Sequence, residues 1–144
     1  MLKLALLGKN ISHSKSKEIY ENILKYEIDY RLYDCSSADL IPPISEIMHN
    51  NLGLSITAPY KKHFIDQVEF DPISEKVGVI NCIKKESENV YKATNTDLLA
   101  CRDILTDMIA EHNSGLMFYI LGDGDMSLVI TSILDLLKQD YLVI

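Results

Sequence analysis

Short apolar runs alternate with amphipathic stretches along the chain. The runs at residues 2–7 and 52–56 each end in a polar turn, which is typical of buried strands. A helix is predicted at residues 17–26, where apolar side chains recur at helical spacing: Ile19, Tyr20, Ile23 and Leu24. The alternation indicates an α/β fold, with a mixed, mostly parallel sheet and helices on both of its faces.

The rest of the chain up to residue 111 predicts further strands and helices. Further strands are predicted at residues 30–33, 79–84 and 90–94, the last two as a hairpin. Further helices are predicted at residues 38–49, 60–67 and 97–111. Ser16 is expected to cap the first helix of the chain, and Asn95 or Thr96 the helix at 97–111. Pro42 and Pro43 fit the helix at 38–49 only in its first turn.

A boundary is predicted at the polar residues 112–115. After it, the pattern predicts a fully apolar strand at 116–121, a turn with two glycines, a helix at 126–138 and a strand that begins at 141. This order is that of the first strand–helix–strand unit of a Rossmann-type domain. We therefore expect a first domain at residues 1–112 and an incomplete Rossmann-type unit at residues 113–144.

Composition narrows the possible partners. Hydrophobic residues make up 47% and charged residues 24% of the chain, which favours a packed core over disorder. The net charge is −7 without a basic run, which argues against nucleic acid and against a membrane surface. The three cysteines and four histidines have no metal-binding spacing. No apolar run reaches the roughly 20 residues of a membrane helix, so a soluble, cytoplasmic protein is expected.

Four polar clusters stand beside the predicted strands. They are residues 12–16 (SHSKS), 57–61 (TAPYK), 78–81 (GVIN) and 95–97 (NTD). Hydroxyls, a lysine, an amide and a carboxylate are the groups that hold a small polyhydroxylated acid and move a proton. Ser14 and Ser16, near a helix N-terminus, either bind a carboxylate or simply cap the helix.

The other clusters have similar alternatives. Lys61 is either a solvated surface lysine or, at a helix N-terminus, a lysine suited to proton transfer. Asn81 interrupts an apolar strand, so its amide either binds a ligand or pairs with the backbone. Asp97 is either part of an acidic first helical turn or a site carboxylate.

A glycine pair, Gly122 and Gly124, follows the apolar strand at 116–121. G-x-G between a strand and a helix is the setting of a dinucleotide pyrophosphate loop. Ser127 stands where the third glycine of that pattern would be. Asp123 and Asp125 would repel a pyrophosphate.

Taken together, the clusters resemble the motifs of the shikimate dehydrogenase family. Residues 10–17 resemble P-I-x-H-S-x-S-P with both prolines replaced, and residues 55–61 resemble N-V-T-x-P-x-K. Residues 78–82 resemble G-A-x-N-T, and residues 93–100 resemble G-x-N-T-D-x-x-G. Residues 122–129 resemble the cofactor loop G-A-G-G-A-x-x-A, with Asp125 in place of the second glycine of its G-G pair.

The resemblance implies the NADP-dependent reduction of 3-dehydroshikimate to shikimate, in the pathway to the aromatic amino acids. It implies that Ser14 and Ser16 hold the substrate carboxylate, and that the hydroxyls are held by Thr57, Lys61, Asn81 and Asp97. Lys61 and Asp97 would form the catalytic acid–base pair, with Asp97 orienting the lysine. Gly122, Gly124 and Ser127 would be the cofactor-binding positions, and no metal is implied.

The resemblance also implies that complete members are nearly twice as long as this chain. We therefore expect the substrate-binding domain and the start of a cofactor domain, in either a fragment or a naturally short relative. Such a chain should bind substrate without turnover and could pair through exposed strand edges as a homodimer. A non-catalytic shikimate- or quinate-binding regulatory module is the alternative, and a relative that uses quinate or NAD also stays open.

Overall fold

A computed structural model describes residues 1–112 and 115–144, in which strands and helices alternate. The strands are β1 (Lys3–Gly8), β2 (Asp29–Asp34), β3 (Gly53–Ile56), β4 (Glu69–Phe70), β5 (Cys82–Ser87), β6 (Val90–Thr94), β7 (Phe118–Ile120) and β8 (Tyr141–Val143). The α-helices are α1 (Ser16–Leu24), α2 (Ile44–Asn50), α3 (Pro72–Val77), α4 (Thr96–His112) and α5 (Asp125–Leu136).

Six of the strands form one mixed sheet in the order β2-β1-β3-β5-β6-β4. β1 is parallel to β2 and β3, and β4 is parallel to β6. β5 is antiparallel to both of its neighbours, β3 and β6. β7 and β8 form a separate parallel pair, as expected at the start of a Rossmann-type unit. The predicted α/β fold with a mixed, mostly parallel sheet is confirmed.

The strand directions bring the polar clusters to one edge of this sheet. β1 and β3 run side by side, so both end at this edge. β5 begins there, with Cys82 opposite Ser55, and β6 returns to end there, with Thr94 opposite Cys82. The segments after β1, β3 and β6 and the segment before β5 therefore meet.

An apolar core fixes this sheet. Leu7, Leu54 and Ile83 come from three adjacent strands, Ile47 and Met48 come from α2, and each is at most 1% exposed. Burial of one such side chain stabilises the fold by about 1.5–3 kcal/mol. The frame that holds the strand ends is thus set by aliphatic packing between β1, β3, β5 and α2.

A second apolar cluster joins α4 to α5. Leu98 of α4 packs with Val129 and Ile133 of α5, and partly buried side chains of β7 and β8 lie against them. Core packing thus crosses the boundary predicted near residue 113. The division into residues 1–112 and 113–144 stays a prediction, and residues 113 and 114 lie outside the described part of the chain.

The continuous helix predicted at 38–49 is wrong. The structure has a 3-10 turn at Ala38–Leu40, an extended Ile41, and α2 from Ile44 onward. Two prolines explain the break, because Pro42 and Pro43 lack an amide hydrogen and Pro42 disfavours the helical conformation at Ile41.

The helix predicted at 60–67 is also wrong. The segment consists of turns and one short 3-10 helix, Ile65–Gln67, after a cis Ala58–Pro59 peptide. Tertiary contacts compete with helix formation here. The Lys61 carbonyl accepts the Ile80 N–H at 3.0 Å, and the Tyr60 hydroxyl donates to the Cys35 carbonyl at 2.7 Å. β4 and α3, which follow, were not predicted from the pattern.

Helix α1 differs from its prediction in two respects. Ser16 is its first residue rather than its cap, and the Ser16 N–H donates to Ser14 Oγ at 3.3 Å. Ile19 and Ile23 are 55% and 69% exposed, whereas Tyr20 is half-buried. The helix therefore turns Tyr20, and not its isoleucines, toward the protein.

Two further findings concern the residues that the structure describes. No helix among them has the length and apolar character that a membrane crossing requires. No group of three or more His, Cys, Asp or Glu side chains among them is arranged to hold a metal ion. Cys35, Cys82 and Cys101 are free thiols.

Truncation of Ile133 tests the α4–α5 cluster. Ile133 is 0% exposed, so we expect Ile133→Ala to lower the free energy of unfolding by about 2–5 kcal/mol. Leu136→Ala, on the same helix at 58% exposure, should change it by less than about 0.5 kcal/mol. Urea unfolding measures both, and equal effects would contradict the assigned packing.

The β7–β8 pair tests the expected homodimer. In the described ranges these two strands pair only with each other, and Leu142 of β8 is 53% exposed. Open strand edges favour pairing with a second chain, and a lysine on such an edge opposes it. We expect light scattering to give a dimer at high concentration and more monomer for Leu142→Lys. A strictly monomeric unmodified chain would rule this interface out.

Candidate functional site

An ion pair lies at the edge where the strand ends meet. Lys61 Nζ donates to Asp97 Oδ2 at 2.7 Å. The side chains are 11% and 37% exposed, so the lysine is nearly buried while part of the carboxylate stays open. The two residues come from the segment after β3 and from the first turn of α4, which are 36 positions apart in sequence.

A buried amide sets the position of Asp97. Asn95 Oδ1 accepts the N–H groups of Asp97 and Leu98, at 3.1 and 3.3 Å, which confirms Asn95 as the cap of α4. Asn95 Nδ2 donates to the Val79 carbonyl at 3.0 Å, and the Asn95 N–H donates to Ser74 Oγ at 2.8 Å. One residue thus joins the start of α4 to the segment before β5.

Asn81 lies beside this cap. Its Oδ1 accepts the Thr96 N–H and its Nδ2 donates to Thr96 Oγ1, both at 2.9 Å. The Asn81 backbone carbonyl accepts the Ile56 N–H at 2.8 Å. The amide therefore pairs with Thr96 and remains partly exposed at the edge of the sheet.

Thr57 is held against the loop that follows β1. Its N–H donates to the Leu7 carbonyl at 2.9 Å. A Cβ on Gly8 would lie 2.5 Å from the side chains of both Thr57 and Ile11, so only glycine permits this approach. The Asp34 carboxylate anchors the same loop by accepting the N–H groups of Asn10 and Ile11, at 2.7 and 3.0 Å.

Lys61, Asp97 and the polar residues Asn81 and Thr57 line one cleft of about 240 Å³. The lining comes from α1, from β3 and the segment after it, from the start of β5 and from the start of α4. It consists of Tyr20, Ser55, Ile56, Thr57, Lys61, Asn81, Cys82, Thr96 and Asp97. Lys61 supplies a positive charge, Asp97 a negative one, and neutral hydroxyl and amide groups supply most of the remaining polar surface.

Ser14 and Ser16 lie just outside this lining. Ser14 Oγ and Ser16 Oγ are 3.0 Å apart and hydrogen-bonded. Ser16 and Ser55 both neighbour the Tyr30 hydroxyl, which is buried. Burial raises the pKa of Tyr30, and the nearby serine hydroxyls only partly offset this effect, so the phenol is neutral at ordinary pH. A row of hydroxyls thus leads from the two serines to the cleft.

Burial works against ionisation of the two cysteines near the cleft. Burial raises the pKa of Cys82, which lines the cleft. Burial, together with the charge of Asp97, raises the pKa of Cys101, one turn further along α4. Both thiols are therefore harder to ionise than a free cysteine, and the Lys61–Asp97 ion pair is the charged feature of the cleft.

The predicted glycine loop does not fit a pyrophosphate. Gly122 has a φ of +100° and Gly124 precedes α5, which leaves room for a close approach of another group. Asp125, however, occupies the first turn of α5, where a phosphate would sit, and pairs with Lys62 at 3.4 Å. Ser127 lies in the same turn of the helix. A carboxylate on this turn repels a phosphate, so these residues oppose dinucleotide binding.

Five residues of the cleft lining are not among the predicted site residues, and three of the five, Tyr20, Ser55 and Thr96, carry hydroxyls. Thr96 stands in a recognised cluster, and its pairing with Asn81 requires knowledge of the sheet order. Ser55 belongs to the segment that resembles N-V-T, at a position where the hydroxyl replaces an amide. Tyr20 had been assigned to the apolar face of a helix, and its polar end gave no separate signal.

The chain is similar in sequence to shikimate dehydrogenases. A family model described as the shikimate dehydrogenase substrate binding domain matches residues 6–83, more than half of the chain. A shikimate dehydrogenase (NADP(+)) of Prochlorococcus marinus strain MIT 9515 is 34% identical over 100 residues, which span 66% of this chain and 35% of the relative. A shikimate dehydrogenase (NADP(+)) of Caldicellulosiruptor bescii is 34% identical over 117 residues, which span 74% of this chain and 39% of the relative. The chain thus spans little more than a third of these curated relatives.

Solved structures share the fold. Shikimate dehydrogenase 1 from Peptoclostridium difficile aligns with a TM-score of 0.76 at 27% identity, over 99% of this chain and 54% of that one. A shikimate 5-dehydrogenase from Thermus thermophilus, in complex with NADP(H) and shikimate, aligns with a TM-score of 0.77 at 21% identity, over 99% and 55%. At 21% identity, the similarity to the Thermus thermophilus structure concerns the fold alone.

Removal of the Asn95 amide tests how Asp97 is positioned. Asn95 is 1% exposed, and Asn95→Ala leaves two helix N–H groups and the Val79 carbonyl without this partner. We expect the free energy of unfolding to fall by about 1–3 kcal/mol. Asn50→Ala, at the exposed end of α2, is the matched control and should change it by less than about 0.5 kcal/mol. Equal stability of the two variants in urea unfolding would contradict the assigned cap.

Proposed function

This chain belongs to the shikimate dehydrogenase family, and we propose that its cleft binds shikimate or 3-dehydroshikimate. Lys61 and Asp97 then occupy the positions of the acid–base pair with which the family reduces 3-dehydroshikimate with NADP, a reaction that this chain alone would not complete. The observation that carries the proposal is the 2.7 Å contact between these two side chains, within a cleft lined by hydroxyl and amide groups. A cyclohexene ring that bears hydroxyls requires such neutral donors and acceptors around one ionised pair.

The pair suits the interconversion of a ketone and an alcohol. Reduction of a ketone leaves an alkoxide oxygen that must gain a proton. The Lys61 ammonium is a donor that both polarises the carbonyl oxygen and supplies that proton. Asp97 holds the ammonium in place and accepts a hydrogen bond from a neighbouring substrate hydroxyl through its open oxygen. A well-placed acid of this kind accelerates a reaction by roughly 10²–10⁴-fold.

The remaining residues suit the other end of the substrate. Ser14 and Ser16 offer hydroxyl donors for the carboxylate, while Thr57 and Asn81 face the ring hydroxyls. Neutral donors suffice for a carboxylate when they converge, because each hydrogen bond to an ionised acceptor is stronger than one between neutral groups. The substrate would thus lie between the serine hydroxyls and the Lys61–Asp97 pair.

NADP is the cofactor that the names of the relatives give. It would supply the hydride, and Gly122, Gly124 and Ser127 are the positions that correspond to its phosphate loop. Since Asp125 opposes a phosphate there, we propose that this chain binds substrate without turnover. Oxidation of NADPH by the chain in the presence of 3-dehydroshikimate would contradict this part of the proposal.

A second candidate function has one observation in its favour. The Lys62–Asp125 ion pair occupies the turn that a cofactor phosphate requires, as expected of a shikimate- or quinate-binding module that has lost catalysis. Calorimetric titration with NADP separates the alternatives at this loop. Micromolar binding of NADP by Asp125→Gly would show a cofactor loop that one carboxylate blocks, whereas no binding by either the unmodified chain or Asp125→Gly favours the binding module.

Calorimetric titration with shikimate tests the central proposal. Asp97→Asn keeps the size of the side chain but removes the charge that pairs with Lys61, and we expect affinity to fall about tenfold or more. Asp103→Asn is the matched control, because Asp103 lies on the same helix at 68% side-chain exposure and pairs with Arg102 outside the cleft. It should leave affinity within about twofold. Equal affinities of Asp97→Asn and the unmodified chain would refute the site.

A further inference from the structure

Tyr20 presents a polar group to the cleft. Its phenol oxygen lies 3.3 Å from Ser55 Oγ, and both residues line the cleft that holds Lys61 and Asp97. Tyr20 is the cleft residue of α1, and the neighbouring Ile19 and Ile23 on the same helix point to solvent. The tyrosine is therefore turned toward the site by the helix that begins at Ser16.

A second tyrosine fixes the direction of this side chain. The rings of Tyr20 and Tyr30 are 5.8 Å apart with an interplanar angle of 45°, which is a favourable tilted arrangement. The Tyr30 hydroxyl is buried and has no hydrogen-bond partner among the residues described. The Tyr20 ring thus rests on a rigid aromatic neighbour, and its hydroxyl is left at the cleft wall.

The side of the cleft formed by Tyr20 and the nearby serines carries uncharged hydroxyl groups. Ser14, Ser16, Ser55 and Tyr20 are neutral donors, and the contacts among them are 3.0 Å between Ser14 and Ser16 and 3.3 Å between Ser55 and Tyr20. In each of these two pairs one hydroxyl hydrogen is used and the other is left as a donor, and a carboxylate offers about four lone-pair sites to such donors. The anionic end of a ligand is therefore the group that this wall attracts most strongly.

We propose that Tyr20, supported by Ser55, is a binding residue that donates a hydrogen bond to the carboxylate of the ligand. Ser55 donates to the phenol oxygen in turn, which strengthens Tyr20 as a donor. The carboxylate then lies between Tyr20 and the Ser14–Ser16 pair, at the end of the cleft away from the Lys61–Asp97 pair. This inference rests on the proposed function, because it assigns one end of the proposed ligand.

Tyr20→Phe tests the inference, because it removes the hydroxyl and keeps the ring against Tyr30. Shikimate and its methyl ester are titrated calorimetrically into the full chain, since the ester removes the charge of the carboxylate. We expect Tyr20→Phe to lower the affinity for shikimate about tenfold and the affinity for the methyl ester by less than about twofold. Tyr26→Phe is the matched control, because Tyr26 is 53% exposed just after α1, and it should change neither affinity.

The outcomes separate this inference from the proposed function. If Asp97→Asn lowers the affinity for shikimate and Tyr20→Phe leaves that affinity within about twofold, the cleft binds shikimate but the role of Tyr20 is refuted. If Tyr20→Phe weakens both ligands equally, the hydroxyl does not serve the carboxylate, and the inference is likewise overturned. Failure of the unmodified chain to bind shikimate contradicts the proposed function and this inference together. Thermal unfolding of each variant verifies that it is folded.

Discussion

The reversal of β5 between β3 and β6 is the constraint on which the site depends. Parallel strands alone would bring together the segments after β1 and β3, whereas Asp97 enters because β6 returns to the same edge antiparallel to β5. Asn95 then fixes the start of α4 against the segment before β5. Sheet topology supplies the approximate position of the carboxylate, a single buried amide fixes the backbone of the turn that carries it, and Lys61 holds the carboxylate itself.

Lys61 and Asp97 differ in their exposure to solvent, and this difference explains why the ion pair is stable while one carboxylate oxygen stays accessible. A nearly buried lysine loses hydration and requires a partner, which Asp97 provides at 2.7 Å. Asp97 retains more contact with solvent, so one of its oxygens can serve a ligand without breaking the pair. In a chain of net charge −7, Lys61 is thus a local positive charge that a neighbouring carboxylate offsets.

The sequence predicts the fold where apolar runs are strong, as in β1 and β3, and it predicts the polar segments at their ends. It fails at residues 60–67, because Lys61 and Tyr60 make long-range contacts that no local pattern encodes. It fails for Tyr20 for a related reason, since a tyrosine at helical spacing is typical of a core position. Whether its hydroxyl reaches a cleft depends on β2 and β3, which supply Tyr30 and Ser55.

The glycine loop at 122–125 combines an open backbone turn with a carboxylate. The backbone of Gly122 and Gly124 keeps the open turn that a phosphate loop requires. A carboxylate at Asp125 occupies the same helix start, and Lys62 partly neutralises it from the segment after β3. Because Lys61 Nζ also lies 3.9 Å from Met126 Sδ, the start of α5 contacts both lysines. A phosphate at this helix start would have to displace both contacts, so the packing of the two lysines against α5 adds to the repulsion by Asp125.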